Sequence, residues 1–269
     1  MNMITKAKNT LKSMKQKYIR MRCTMNQDDG VVWISLGENC LSDDILKRFY
    51  LKSYSSLYAS GRSNIDYNIA MHRQGYRGLF DDANATYGYV DQEKVLRNIS
   101  YTLDDDIYHE LHTQGFEFTH HDWLAHPESK AALMRRVKRM NEEIGQKHYV
   151  FLYHHRYTQK SNLDLLTRKL ATFKQFFEQG GKRCFIILFY QEQVADARQR
   201  QLTFVDNHDG VLQFRLHTLH QWAGMDQAIF WARVDNDLIK KMLKQSRQII
   251  RQATALPPHR RQTNGATEY

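Results

Sequence analysis

A chain of 269 residues, 42% hydrophobic and 25% charged, can bury a substantial globular core, which excludes a disordered or fibrous polymer. Three cysteines exclude a disulfide-stapled scaffold, and no run of about 18 apolar residues exists to span a bilayer. The net charge of +10 directs attention to anionic partners or surfaces.

Residues 1–28 concentrate that charge. Lys6, Lys8, Lys12, Lys15, Lys17, Arg20 and Arg22 precede the first acidic residue, Asp28. Met3, Ile4, Leu11, Met14, Tyr18 and Met21 interleave at roughly helical spacing, so the segment reads as a basic amphipathic extension. It suits peripheral contact with an anionic membrane or another polyanion, an organellar transit role, or simple solvation. No apolar signal core follows the charged start, and a cytoplasmic setting, with or without peripheral contact at the inner membrane face, is expected.

Residues 29–255 read as one α/β catalytic domain. Val31–Leu36, Tyr149–Tyr153, Cys184–Tyr190 and Val211–Leu216 are nearly continuous apolar runs, the pattern of strands buried on both faces of a parallel sheet. Helical stripes separate them. Leu41, Ile45, Leu46 and Phe49 form the first; Leu133, Val137, Met140 and Ile144 the second; Leu166, Leu170, Phe173 and Phe177 the third. Gly180-Gly181 is expected to stop that third helix, and Leu238, Met242, Ile249 and Ile250 predict a C-terminal one. Alternation of this kind predicts a three-layer α/β sandwich with a mainly parallel central sheet. Residues 53–130 interrupt it as a mostly helical or irregular insertion, with helical pieces expected near Lys94–Ile99 and Asp104–Leu111. Residues 256–269, opening on Pro257-Pro258, read as a disordered tail.

The turn Gly37-Glu38-Asn39-Cys40 joins the first strand to the first helix, on the edge of a parallel sheet where ligands bind. Cys40 therefore falls at a helix start, where unpaired N–H groups and the helix dipole are expected to favour thiolate and to stabilise an oxyanion. Ser35, Gly37 and Asn39 are the associated oxyanion or substrate residues. Gly37 permits the sharp turn, and Asn39 either donates its amide or caps the helix. Cys184 lies in a core run and Cys23 in the basic extension, so Cys40 is the reactive candidate.

A catalytic thiol needs a base, usually histidine, often oriented by a third group. His120-His121-Asp122, His154-His155, His217 and His220 all qualify by position, and the residues alone do not choose among them. No HExxH element or CxxC pair supports a metal, and none is expected.

These elements resemble a bacterial family catalogued as papain-like cysteine peptidases of unassigned physiological role. The resemblance rests on Ser35-Leu36-Gly37-Glu38-Asn39-Cys40, Leu46-Lys47-Arg48, Asn64-Ile65-Asp66-Tyr67, Phe118-Thr119-His120-His121-Asp122 and Arg135-Arg136, in order over about residues 31 to 155. It implies Cys40 as nucleophile, His121 as base with Asp122 adjacent, and Asp66 as a group able to orient a base. The family usually carries Pro-Phe-Asp-Trp where this chain has Asn64-Ile65-Asp66-Tyr67, so the aromatic wall differs. A looser similarity is to capsule-biosynthesis proteins regarded as coenzyme A-dependent acetyltransferases, which carry a Gly-Asn-Cys turn; here Glu38 is inserted.

The resulting expectation is a cysteine-nucleophile acyltransferase or hydrolase of bacterial surface polysaccharide or glycoconjugate assembly, acting on a small-molecule or glycan substrate. No cofactor is required, although coenzyme A is a candidate acyl donor. Arg135, Arg136 and Arg156 are candidates to attract an anionic donor or glycan. The alternative is a non-catalytic polyanion or membrane-surface binding module on the same fold. A glycosyltransferase or methyltransferase ranks below both, since no GxGxxG or DxD element occurs, and no specific nucleic acid is expected.

Overall fold

The computed structural model describes residues 30–90, 92–100 and 115–255, together with positions 14, 17, 18, 21 and 22 of the basic extension. Those five positions are helical. Tyr18 meets the Tyr50 ring edge-on at 6.3 Å, and Arg22 lies 5.4 Å from the centroid of the same ring. The expected tail and the helix near Asp104–Leu111 lie outside the described residues, as does Cys23.

The four apolar runs form the expected strands, each extended by a residue or more. They are β1 (Val31–Gly37), β6 (His148–His154), β7 (Cys184–Gln193) and β9 (Val211–Thr218). All four run parallel, in the order β1-β6-β7-β9. A fifth strand, β8 (Gln201–His208), closes the far edge antiparallel to β9 and was not anticipated. Helices cover both faces: the fold is α/β with a mainly parallel sheet. On one face α1 (Leu41–Arg48) and α6 (Asn236–Ala255) pack against Trp33, Val150, Leu152 and Ile187. On the other, α2 (Ile65–Arg73), α3 (Pro127–Glu142) and α4 (Leu163–Gln175) pack against Ile34, Leu36, Phe151 and Tyr153. The two apolar sets alternate along each strand because successive side chains point to opposite faces. The third helix ends at Gln175, ahead of Gly180-Gly181, whose left-handed φ of 57° and 75° turn the chain into β7. A short helix, α5 (Gln227–Phe230), precedes α6.

The insertion corrects the sequence expectation. Besides α2 and irregular stretches it contains an unexpected second sheet of four antiparallel strands, ordered β2-β5-β4-β3. These are β2 (Gly61–Arg62), β3 (Ala85–Val90), β4 (Glu93–Asn98) and β5 (Phe116–Phe118). Lys94–Ile99, read as helical, is mostly β4. Leu96, Phe116 and Phe118 from this sheet enter the same apolar cluster as Ile34 and Phe151, so the insertion shares a core with the main sheet.

The motif Asn64-Ile65-Asp66-Tyr67 is a helix start. The Asn64 side chain accepts from the Tyr67 N–H at 2.8 Å and caps α2, and Asp66 sits in the first turn beside the positive helix end. Its carboxylate is ion-paired to Lys169 of α4. Asp66 therefore ties α2 to α4.

Candidate active site

The strand-to-helix turn lies where the sequence placed it. Cys40 is the N-cap of α1, half-buried, with φ −77° and ψ −2°. Gly37 has φ +114°, and a Cβ there would stand 3.0 Å from the Tyr153 ring, so both conformation and space demand glycine.

The residues around Cys40 clamp this turn to the exit of β6. The Asn39 amide nitrogen meets His154 Nδ1 at 2.9 Å, while its carbonyl oxygen accepts from the Leu41 N–H at 3.0 Å. The His154 N–H donates to Ser42 Oγ at 3.2 Å. Asn39 thus acts as a cap and clamp of the turn. Ser35 is buried and donates to Asp43 Oδ1 at 3.3 Å, and Lys52 Nζ donates to Asp43 at 2.8 Å. Ser35 is a support beneath the turn, not a substrate contact.

Glu38 is buried, 1% exposed, and its carboxylate is the hub of the turn. One oxygen pairs with His155 Nδ1 at 2.7 Å, and the other accepts from the Arg156 N–H at 3.1 Å. His155 Nε2 stands 2.8 Å from Ser161 Oγ, which also accepts from the Thr158 N–H at 3.0 Å. A carboxylate can only accept, so His155 carries a proton on Nδ1, while Nε2 is within hydrogen-bond distance of the Ser161 hydroxyl. The result is a carboxylate–imidazole–hydroxyl array in the order of an acyl-transfer triad.

The insertion supplies the facing wall. Gly61 packs so closely on Phe116 that a Cβ would lie 1.9 Å from the ring. That close approach sets β2 beside β5 with Arg62 directly opposite Glu117, and Arg97 of β4 opposite Glu117 on the other side. Glu117 is ion-paired to Arg62 and accepts from Arg97 Nε at 3.1 Å. Beyond β5, Thr119 faces the Cys40 thiol. Its hydroxyl closes no hydrogen bond, yet lies near enough to the sulfur to favour the charged form.

The Cys40 thiol is the second correction. The helix start was expected to lower its pKa, but burial pushes it above the ordinary range. Arg62 opposes that push, Asp43 adds to it, Thr119 opposes it, and Glu117 adds again. Desolvation of the charged form outweighs the favourable partners.

His121 follows two residues after Thr119. The intervening His120 adopts a left-handed φ of 63°, which turns the chain sharply at the lip of the cleft. Burial lowers the His121 pKa, and the neighbouring charges of Arg136 and His120 lower it further, so His121 is neutral at pH 7. Arg136 in turn feels the Asp43 carboxylate of α1, which ties His121's surroundings to the nucleophile turn. Among the described residues no hydrogen bond joins His121 to Cys40. Asp122 accepts from the Tyr87 hydroxyl at 3.0 Å and from the Ala125 N–H at 3.0 Å and so anchors the loop; among the described residues no hydrogen bond joins it to His121. Arg135 is exposed, whereas Arg136 is half-buried.

His154 is buried against Phe189 and Trp222. Burial drives its pKa down to about 3, against the pull of Glu38 and with Arg156 and His155 assisting. His217 and His220 lie beyond, on and after β9. Among the described residues no group of three or more His, Cys, Asp or Glu side chains is arranged to hold a metal ion, and no helix is long and apolar enough to cross a membrane.

Arg62, Glu117 and Ser161 escaped sequence reasoning, and Thr119 entered it only within its motif, with no role. Arg62 and Glu117 meet through antiparallel register across long loops, which leaves no local pattern. Ser161, six residues after His155, carried a weak local signal.

Comparison with known proteins adds no relative: no family model, curated protein or solved structure matches the chain. The papain-like resemblance therefore stands on its motif residues alone.

Proposed function

We propose that the protein is a thiol-dependent acyl-transfer enzyme with Cys40 as nucleophile. The observation that carries this reading is the placement of Cys40. It is a half-buried thiol at a helix start on the carboxyl edge of a parallel sheet, facing an unpaired Thr119 hydroxyl and the Arg62 guanidinium. Neutral His121, on the same loop as Thr119, accepts the thiol proton. The sulfur electron pair attacks the acyl carbonyl carbon, and the carbonyl electrons move onto oxygen, where first-turn N–H groups of α1 beyond Leu41 receive them. Collapse expels the leaving group, which takes the proton from His121 and leaves an acyl thioester on Cys40. An acceptor hydroxyl, amine or water then takes the acyl group and restores the thiol. Acceptors of the glycan class and coenzyme A as donor belong to the same proposal.

Incubation with acyl-coenzyme A and other activated esters, followed by intact mass, tests it. One acyl group is expected on the wild-type chain and none on Cys40→Ser. Equal acylation of both chains would sink the reading.

A second reading has its own observation. The Glu38–His155–Ser161 array has the carboxylate–imidazole–hydroxyl order and spacing that activate a serine hydroxyl. On that reading Ser161→Ala, and not Cys40→Ser, abolishes the adduct.

A further inference from the structure

One layer of the molecule has an outward face that the proposed chemistry does not use. α1 and α6 lie on the same side of the main sheet, and Arg48 at the end of α1 joins them. Its Nε donates to Asn236 Oδ1 at 3.0 Å, and its Nη1 donates to the Trp231 carbonyl at 2.8 Å. α6 buries Leu238, Ile239, Met242 and Leu243 in the core beneath it. Helical periodicity therefore turns Lys240, Lys241 and Lys244 away from the sheet, and all three are exposed. No acidic residue follows Asp237 before the helix ends at Ala255, and Asp237 is itself ion-paired to Arg200. The carboxylates of α1 do not offset these lysines either, because Asp43 pairs with Lys52 and Asp44 with Arg48.

The basic extension stands beside the junction of these two helices. Tyr50, two residues after Arg48, receives the Tyr18 ring edge-on and the Arg22 guanidinium. Met14, Tyr18 and Met21 are spaced four and three residues apart, which places them on one helical face, yet they are 63%, 50% and 53% exposed. Lys17 is exposed on that face too. Phe230 and Val234, where the chain approaches α6, add further exposed apolar surface.

Cations interleaved with exposed methionine and aromatic side chains match a bilayer interface. Lysines there meet anionic headgroups, while apolar side chains enter the acyl boundary. A nucleic acid would engage the lysines but leave the methionines in water. We propose that the face formed by α6 and the basic extension binds an anionic lipid bilayer. The proposal is independent of which residue is the nucleophile.

Sedimentation of the full chain with lipid vesicles tests it. Vesicles of phosphatidylcholine alone are compared with equimolar phosphatidylcholine and phosphatidylglycerol. Partition onto the anionic vesicles should exceed that onto the neutral ones by about tenfold or more, and shrink as salt rises. Joint replacement of Lys240, Lys241 and Lys244 by glutamine should lower it by about tenfold or more. Met14→Ser combined with Met21→Ser should lower it by about threefold or more. All five replaced side chains are exposed, so their loss leaves the core intact. Equal partition onto both vesicles, or an anionic preference untouched by the lysine replacements, overturns the proposal. Partition indifferent to the methionine replacements overturns it as well; retention of the chain by a homopolymeric RNA would then identify the face as a general polyanion surface.

Discussion

The two walls of the cleft are built in different ways. The wall carrying Cys40 is fastened by hydrogen bonds from buried groups. Glu38 holds His155 and Arg156, Asn39 holds His154, and Ser42 takes the His154 N–H, all at the parallel edge between β1 and β6. The wall carrying Thr119 and His121 hangs from a three-residue strand, passes through a left-handed histidine, and is anchored at Asp122 by Tyr87, which is itself 38% exposed. The contrast teaches a division of labour. Cys40, the proposed nucleophile, is a fixed point of the main sheet, and His121, its proposed proton acceptor, is carried on the loop after β5, the three-residue strand of the inserted sheet.

Substitutions can break that contrast. The largest effect is expected on the fixed wall. Glu38→Ala strands a buried imidazole N–H and the Arg156 N–H, and should cost about 3–5 kcal/mol in urea unfolding. A loss under 1 kcal/mol would mean that the turn does not depend on its hub. Gly37→Ala comes next, because it forces a side chain into a left-handed conformation against Tyr153; about 1–3 kcal/mol of stability should disappear in the same measurement.

Acid should loosen this wall before the other. His154, with its folded pKa near 3 against about 6.5 unfolded, binds its proton only in the unfolded chain between those values. Stability is therefore unaffected by this group above pH 6.5 and declines as pH falls below it. The decline amounts to about 2 kcal/mol by pH 5. His72, lowered to about 4 by burial, works in the same direction. Unfolding midpoints at pH 7 and pH 5 read the sum, and the slope should flatten in His154→Gln.

The smallest effect belongs to the inserted wall. Asp122→Asn keeps the loop's hydrogen bonds nearly isosteric and should change stability by less than about 0.5 kcal/mol. Cys40 alkylation rates should also stay within twofold or so of wild type, given that no charge partner of the thiol is removed. A drop of ten times or more would restore Asp122 as an orienting group.

The same contrast explains what could be read from the residues alone. The central strands announce themselves because burial on both faces leaves nearly continuous apolar runs such as Cys184–Tyr190. β8 escaped because its edge position leaves Asp206, Asn207 and His208 in solvent, with no apolar run to mark it. β4 was mistaken for helix because Glu93, Lys94 and Arg97 favour helix by propensity, whereas its pairing with β3 and β5 decides the matter. The position of Cys40 was legible, since a strand followed directly by a helix defines a turn. Its electrostatic state was not. The burial that raises the thiol, and the Arg62–Glu117–Arg97 row, depend on register across loops of unpatterned sequence.

The most direct measurement is the chemistry and location of the acyl adduct. After reaction with an activated acyl thioester, peptide mass spectrometry should place the acyl group on Cys40. Neutral hydroxylamine should remove it, as it removes a thioester. A hydroxylamine-resistant adduct on Ser161, or no adduct with any donor, would contradict the account.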